Sequence, residues 1–109
     1  MVSRLLIENA GAAATMLALL GNEKRLVIIS HLLLEGEMSV GAIAEKVELS
    51  QSALSQHLAK LRSIDLVETR RDRQMIYYSC NSEAVRRLVG TLSGIFAEAP
   101  SEECQLVPG

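Results

Sequence analysis

Between Ser50 and Ser63 the chain reads SQSALSQHLAKLRS, and this pattern predicts an amphipathic α-helix. Leu54, Leu58 and Leu61 recur at helical spacing and form the stripe that packs inward. Ser50 is placed to cap the helix, because a serine hydroxyl accepts a hydrogen bond from an unpaired backbone N–H of the first turn. The outward face is left with short, mostly polar side chains, namely Gln51, Ser52, Ser55, Gln56, Ala59 and Lys60.

Such a face suits the major groove of DNA, into which a helix fits when its outward side chains are small and form hydrogen bonds. Gln56 can pair bidentately with an adenine edge, and Ser55 can address several bases. Ser52 lies near the helix start, where free N–H groups favour a phosphate. His57 either touches DNA or covers the helix edge. A solvated polar face without any partner is the alternative that this helix alone leaves open.

Three helices are predicted before this one. The first covers about residues 5–20, ends at Gly21 and is apolar nearly all round, which makes it a candidate subunit interface. The second follows the capping residue Asn22 and ends at Gly36. The third is short, is capped by Ser39 and carries an apolar stripe of Val40, Ile43, Ala44 and Val47. Its tight connection to the next helix predicts a helix-turn-helix.

The segment from Leu66 to Cys80 changes to the short period of β-strands and predicts a hairpin with a polar turn at residues 72–74. Because this hairpin directly follows a candidate recognition helix (about residues 50–63), its basic tip is expected to contact phosphates or a minor groove. The candidate DNA-binding residues are therefore Ser50, Gln51, Ser52, Ser55, Gln56, His57 and Lys60 on the helix, with Arg70, Arg71, Arg73 and Gln74 on the hairpin.

A last amphipathic helix is predicted after Asn81, which is placed to cap it, and Pro100 ends it. The first and last helices carry more apolar surface than a small core can cover, which predicts an isologous dimer interface. Its candidate residues are Leu17, Leu20, Leu88, Leu92, Ile95 and Phe96. One domain is expected over residues 1–98, followed by a disordered tail at residues 99–109.

Composition supports one globular domain, since the chain has 109 residues and is 49% hydrophobic. Aromatic residues make up only 3%, which argues against a single-strand binder that stacks bases. The longest uncharged stretch, residues 9–22, is too short for a membrane span, and the N-terminus lacks a signal-peptide pattern, so a cytoplasmic protein is expected. Residues 51–79 carry five cations and three anions, whereas the rest of the chain carries six cations and ten anions. A basic region within an acidic chain fits a local DNA-binding face.

Three motifs in the same order resemble the ArsR/SmtB family of winged-helix repressors. Residues 49–62 (LSQSALSQHLAKLR) are similar to its recognition helix, and residues 19–26 (LLGNEKRL) to the start of its second helix. Leu66-Val67, Arg70-Arg71 and Tyr77-Tyr78 resemble its wing. The similarity covers about residues 12–97. Within the family the chain is most similar to the NolR-type rhizobial regulators, which share the Arg-Arg-Asp wing tip.

The resemblance implies a mainly α fold with a β-hairpin wing, in the order ααααββα. It also implies a homodimer, built from the first and last helices, that binds a partly palindromic operator in double-stranded DNA and represses transcription. Wing turns in the family commonly carry glycine, and Arg73 stands in the turn here.

The family's metal-sensing members use cysteine clusters near the third helix or Asp and His sets on the last helix. This chain has Glu37-Met38-Ser39-Val40-Gly41 at the first place, and residues 82–97 contain no His, Asp or Cys. No metal, cofactor or small-molecule ligand is therefore expected. Cys80 and Cys104 leave open the alternative of a metal- or thiol-responsive sensor with the same fold.

Two other classes remain for comparison. An enzyme is not expected, because the sequence has no nucleophile–base pair, phosphate-binding loop or metalloprotease motif. A winged helix that binds only other proteins is the minor alternative, and it would show no salt-sensitive affinity for DNA.

Overall fold

The computed structural model describes residues 2–98, and the expected tail at 99–109 lies outside the described residues. Within these described residues, six helices and three strands follow one another: α1 Arg4–Glu8, α2 Ala10–Leu20, α3 Glu23–Glu35, β1 Met38–Ser39, α4 Val40–Val47, α5 Gln51–Ser63, β2 Glu68–Asp72, β3 Met75–Ser79 and α6 Glu83–Glu98. The predicted helices, hairpin and last helix are all present in the predicted order. No helix within residues 2–98 is long and apolar enough to cross a membrane.

The first predicted helix is two helices in the structure, which corrects the single span expected over residues 5–20. The break falls at Asn9, whose backbone φ and ψ of −109° and 22° leave the helical region. Its side-chain Nδ2 donates to the Leu5 carbonyl at 2.8 Å, and its backbone N–H donates to the Leu5 and Leu6 carbonyls. Asparagine offers the backbone such local alternatives to a continuous helix, so an apolar run with one Asn is divided here.

Serine and asparagine caps define where the helices begin. Asn22, Ser39 and Ser50 each accept a hydrogen bond from the backbone N–H three residues on, at 3.1 to 3.2 Å. These three caps confirm the predicted starts of α3, α4 and α5. The cap of α6 is Ser82, which accepts from the Val85 N–H at 3.2 Å, rather than the predicted Asn81.

The predicted hairpin forms with Asp72 opposite Met75, which leaves a two-residue turn at Arg73 and Gln74. Arg73 has a φ of 61°, in the left-handed region that tight hairpin turns require and that glycine adopts at least cost. Sequence analysis missed the two-residue strand β1, in which Met38 pairs with Tyr78 of β3. The sheet therefore has the order β1-β3-β2 and joins the wing to the residues just before α4.

The core lies where α3, α4, α5 and the start of α6 meet. The predicted inner stripe of α5 is fully enclosed, with 0%, 1% and 0% of Leu54, Leu58 and Leu61 exposed. These leucines belong to one cluster with buried apolar side chains of the neighbouring elements, which include Ile28, Ile29, Leu32, Ile43, Val47, Leu66 and Val85.

Leu20 corrects the predicted subunit interface. Only 5% of this residue is exposed in a single chain, and it packs in the core of its own domain. It is the last residue of α2, where the chain turns through Gly21 into α3, so its side chain is enclosed by its own fold. Little of its surface is left for a second copy.

Replacing Leu58 with alanine should lower the free energy of unfolding by about 2–5 kcal/mol, because a fully buried leucine leaves a cavity when it is truncated. Urea denaturation followed by circular dichroism measures the change. The matched control is Gln56→Ala on the exposed face of the same helix, which should change stability by less than about 0.5 kcal/mol. Equal effects of the two substitutions would contradict the position of α5 in the core.

Candidate nucleic-acid interface

The exposed face of α5 carries the side chains that sequence analysis singled out. Gln51, Ser52, Ser55, Gln56 and Lys60 are all exposed, opposite the buried leucine stripe. Within residues 2–98 no hydrogen bond reaches the side chains of Gln51, Ser55 or Gln56 from another element, so their donors and acceptors point to solvent. A helix with this face can enter a groove without first breaking contacts inside the protein.

The turn before α5 is held by specific backbone contacts. Glu48 adopts the left-handed conformation at φ 56° and ends α4, and the Leu49 N–H donates to the Ala44 carbonyl at 3.2 Å. Lys24 donates from Nζ to the Val47 carbonyl at 3.3 Å, which satisfies one of the free carbonyls at the end of α4. This turn fixes the angle at which α5 leaves the helix-turn-helix.

Ser50 acts first as the cap of α5, because its hydroxyl accepts from the Ala53 N–H. Its Oγ also lies 3.4 Å from the Ser52 Oγ. Both hydroxyls are exposed at the positive end of the helix dipole, where a phosphate is favoured.

His57 faces the protein rather than solvent. It is half-buried, and Arg25 Nη1 donates to its Nδ1 at 3.3 Å, since an arginine can only donate. Arg25 also donates from Nε to the Leu19 carbonyl at 2.7 Å, so one guanidinium joins the end of α2 to α5. Burial lowers the pKa of His57, and the nearby charges of Arg25, Lys60 and Lys24 lower it further. Of the two roles left open for His57, covering the helix edge fits this geometry.

The wing divides its arginines into two groups. Arg71 and Arg73 are exposed, as is Gln74, and neither arginine has an ion-pair partner within residues 2–98. Arg70 instead forms a bidentate pair with Glu37, with Nε to Oε2 at 2.9 Å and Nη2 to Oε1 at 2.8 Å. Its guanidinium also lies over the Tyr77 ring, 4.7 Å from the centroid. Arg70 is thus already occupied, unlike the other two candidates.

Glu37 and Arg25 are two residues of this region that sequence analysis did not single out. Arg70 holds the pKa of the Glu37 carboxyl below its ordinary value, and Glu37 raises the pKa of Arg70. Neither residue belongs to a periodic pattern, and their partners are 33 and 32 positions away in sequence. No local signal identifies contacts of that range.

Of the two thiol candidates, Cys80 is the one that lies within residues 2–98. Cys80 is buried at the end of the wing, and this burial raises the pKa of its thiol, which favours the less reactive protonated form. Cys104 lies outside the described residues. Among residues 2–98, no three His, Cys, Asp or Glu side chains are grouped closely enough to hold a metal ion.

Acidic conditions should weaken the fold through His57. Because its pKa is lowered in the folded chain, the unfolded chain takes up the proton first as the pH falls through 6.5. We expect the free energy of unfolding to be retained above that pH and to decline below it, until the lower pKa of the folded chain is passed. Urea denaturation at a series of pH values measures the decline.

His57→Gln should remove part of that decline, since glutamine does not titrate. His31→Gln is the matched control, because it removes the only other histidine. If His57→Gln declined as steeply as both the wild type and His31→Gln, the lowered pKa of His57 in the folded chain would be contradicted.

The chain is similar to known transcription regulators, in keeping with the DNA-binding surface described above. The family model of the bacterial regulatory proteins of the arsR family matches residues 22–69. The nodulation protein NolR of Rhizobium meliloti is 56% identical over 91 residues, covering 84% of this chain and 74% of NolR. The transcriptional activator HlyU of Vibrio cholerae is 41% identical over 92 residues, covering 84% of each chain. The crystal structure of the transcriptional repressor BigR from Xylella fastidiosa is 34% identical, with a TM-score of 0.81 over 88% of this chain and 97% of BigR.

These similarities confirm the family resemblance and the winged-helix fold expected from the sequence. Proteins of this family are DNA-binding regulators of transcription and not enzymes. The chain therefore belongs to the ArsR family of bacterial regulatory proteins and is a winged-helix, DNA-binding transcription regulator.

Proposed function

We propose that this regulator is a cytoplasmic homodimer that binds a partly palindromic operator and represses transcription from it. The observation that carries the proposal is the combination of an exposed, small, polar face on α5 with two wing-tip arginines that have no ion-pair partner within residues 2–98. The first surface can read base edges, and the second can hold the DNA backbone.

Base reading belongs to Gln56 and Ser55 in this proposal. Gln56 has both an amide donor and an acceptor free for an adenine edge, and the Ser55 hydroxyl can address several bases. Arg71 and Arg73 anchor the wing to phosphates, because long exposed cations at a hairpin tip bind phosphate without selecting a base.

Dimerisation accounts for apolar surface that a single chain leaves in water. Leu17, Ile95 and Phe96 are 56%, 55% and 48% exposed, while Leu88 and Leu92 are half-buried. A groove of about 510 Å³ between α3 and α6 continues this surface, with a mostly apolar lining that includes Leu33, Leu34 and Phe96. A two-fold pairing through α2 and α6 would bury it. The two copies of α5 would then meet successive major grooves, about 34 Å apart.

Repression is the direction that needs the fewest additional contacts. A dimer that occupies its operator blocks access to the same DNA, whereas activation also needs a productive contact with the transcription machinery. BigR is named a repressor and HlyU an activator, so family membership leaves both directions to experiment. Transcription from the operator in a purified system, with and without the protein, tests the direction.

Gln56→Ala should weaken binding to the best operator by about 1–3 kcal/mol and relax base preference at one position of each half-site. Arg73→Ala should weaken binding to all sequences alike and reduce the slope of log affinity against log salt by about 0.9 for each phosphate that the arginine no longer neutralises. Selection from random duplexes, followed by fluorescence anisotropy titrations at several salt concentrations, measures both effects.

The matched control is Arg4→Ala, which removes an exposed cation from α1 and should leave the salt slope unchanged. If Arg73→Ala changed base preference and Gln56→Ala did not, the assigned roles would be reversed. A wild-type protein with no salt-dependent affinity for any duplex would reject the proposed function.

Ile95→Asp should convert the dimer into monomers, because it would place an uncompensated charge in the proposed interface. Light scattering at micromolar concentration measures the mass. Ile76→Asp is the control, since Ile76 is also exposed but lies on the wing. A wild-type mass of one chain, or a dimer that survives Ile95→Asp, would contradict the interface.

A further inference from the structure

We propose that Glu37 limits the affinity of this regulator for DNA by keeping Arg70 away from phosphate. This inference rests on the proposed function. Glu37 acts as a positioning residue in it, because it contacts Arg70 and leaves the DNA contacts to other side chains.

The pair uses two of the five N–H donors of Arg70. Its Nε and Nη2 donate to the two carboxylate oxygens of Glu37 at 2.9 and 2.8 Å, the parallel arrangement in which a guanidinium and a carboxylate interact most strongly. Tyr77, directly opposite Arg70 across the hairpin, packs against the guanidinium face. A phosphate would have to displace the carboxylate to gain the same two hydrogen bonds.

The pair also joins two parts of the proposed DNA-binding surface. Glu37 immediately precedes β1, and Ser39 at the end of β1 caps α4. Arg70 lies at the centre of β2 in the wing. The ion pair therefore crosses from the start of the helix-turn-helix to the wing, beside the backbone pairing of β1 with β3.

The ion pair reduces the number of wing arginines that can bind phosphate. Arg70, Arg71 and Arg73 give the wing three cations, but the Glu37 carboxylate neutralises Arg70 where it stands. Phosphate binding by Arg70 would leave Glu37 as an unpaired anion close to DNA, which Coulomb repulsion disfavours. Arg70 therefore stays on Glu37 when DNA binds, and of the three wing arginines only Arg71 and Arg73 release counterions from the duplex.

The ion pair between Glu37 and Arg70 affects how selectively the regulator binds its operator. Phosphate contacts strengthen binding to every sequence, whereas the base contacts of Gln56 and Ser55 strengthen binding to the operator alone. A third free arginine on the wing would raise affinity for the many competing sites as much as for the operator. It would also slow release from those sites, so the regulator would spend more time bound away from the operator.

Four chains test the inference: wild type, Glu37→Gln, Arg70→Gln and the double variant. Each is titrated with a random-sequence duplex and with the selected operator over a range of salt concentrations. Glutamine keeps the shape of Glu37 without its charge. Because the pair is largely exposed, all four chains should unfold at similar urea concentrations.

Glu37→Gln should bind both duplexes more tightly at low salt, and its salt slope should steepen by about 0.9, the value for one added phosphate contact. Its affinity should therefore fall about 3.5-fold more than that of wild type between about 50 and 200 mM salt. Arg70→Gln should bind both duplexes no more tightly than wild type, because it leaves the Glu37 carboxylate unpaired near the DNA. The double variant should keep the wild-type slope, because it removes the cation and the anion of the pair together.

Three results would overturn the inference while leaving the proposed function intact. A reduced slope in the double variant, in which no unpaired carboxylate is left at this pair, would show that Arg70 binds phosphate in the wild type. Steepening that persists in the double variant would place the effect outside Arg70. Weaker binding by Glu37→Gln would show that the pair only orients the wing. Absence of any salt-dependent DNA binding by the wild type would instead overturn the proposed function, and this inference with it.

Discussion

The rotation of α5 about its own axis is the constraint on which the rest of this molecule depends. Burial of Leu54, Leu58 and Leu61 fixes that rotation, because exposing any one of them would cost about 1.5–3 kcal/mol. The face opposite the leucines, with Gln56 near its centre, is then directed to solvent. One helical periodicity thus builds the core and defines the surface that can read DNA.

Polar contacts at the start of α3 add precision to this packing. Arg25 joins the Leu19 carbonyl to His57, and Lys24 reaches the Val47 carbonyl just before the turn into α5. Arg25 and Lys24 thereby hold the helix-turn-helix against the start of α3. Lys24 and Arg25 thus hold the helix-turn-helix in place, whereas Arg71 and Arg73 at the wing tip have no ion-pair partner within residues 2–98.

Sequence predicted the elements whose causes are local. Caps depend on residues three positions apart, and the stripe of α5 depends on one helical period, so both can be read directly. The break at Asn9 was missed because an apolar run around one polar residue favours a continuous helix. Strand β1 has only two residues and no period of its own, and it exists because Met38 meets Tyr78 of the wing. Arg70 was grouped with Arg71 and Arg73 because its partner, Glu37, is distant in sequence.

The distribution of charge explains how a chain with a net charge of −2 can bind DNA with selectivity. At distances beyond a Debye length, salt screens the acidic remainder, and the local field of residues 51–79 dominates near the duplex. Within that region each unpaired cation adds affinity for any DNA sequence, whereas the amide and hydroxyl groups of α5 make affinity depend on the base sequence. Pairing one wing arginine with a carboxylate therefore moves the balance of binding energy from the phosphates toward the bases. A DNA-binding regulator meets many competing sites, so the ratio of its specific to its non-specific affinity matters more than its specific affinity alone.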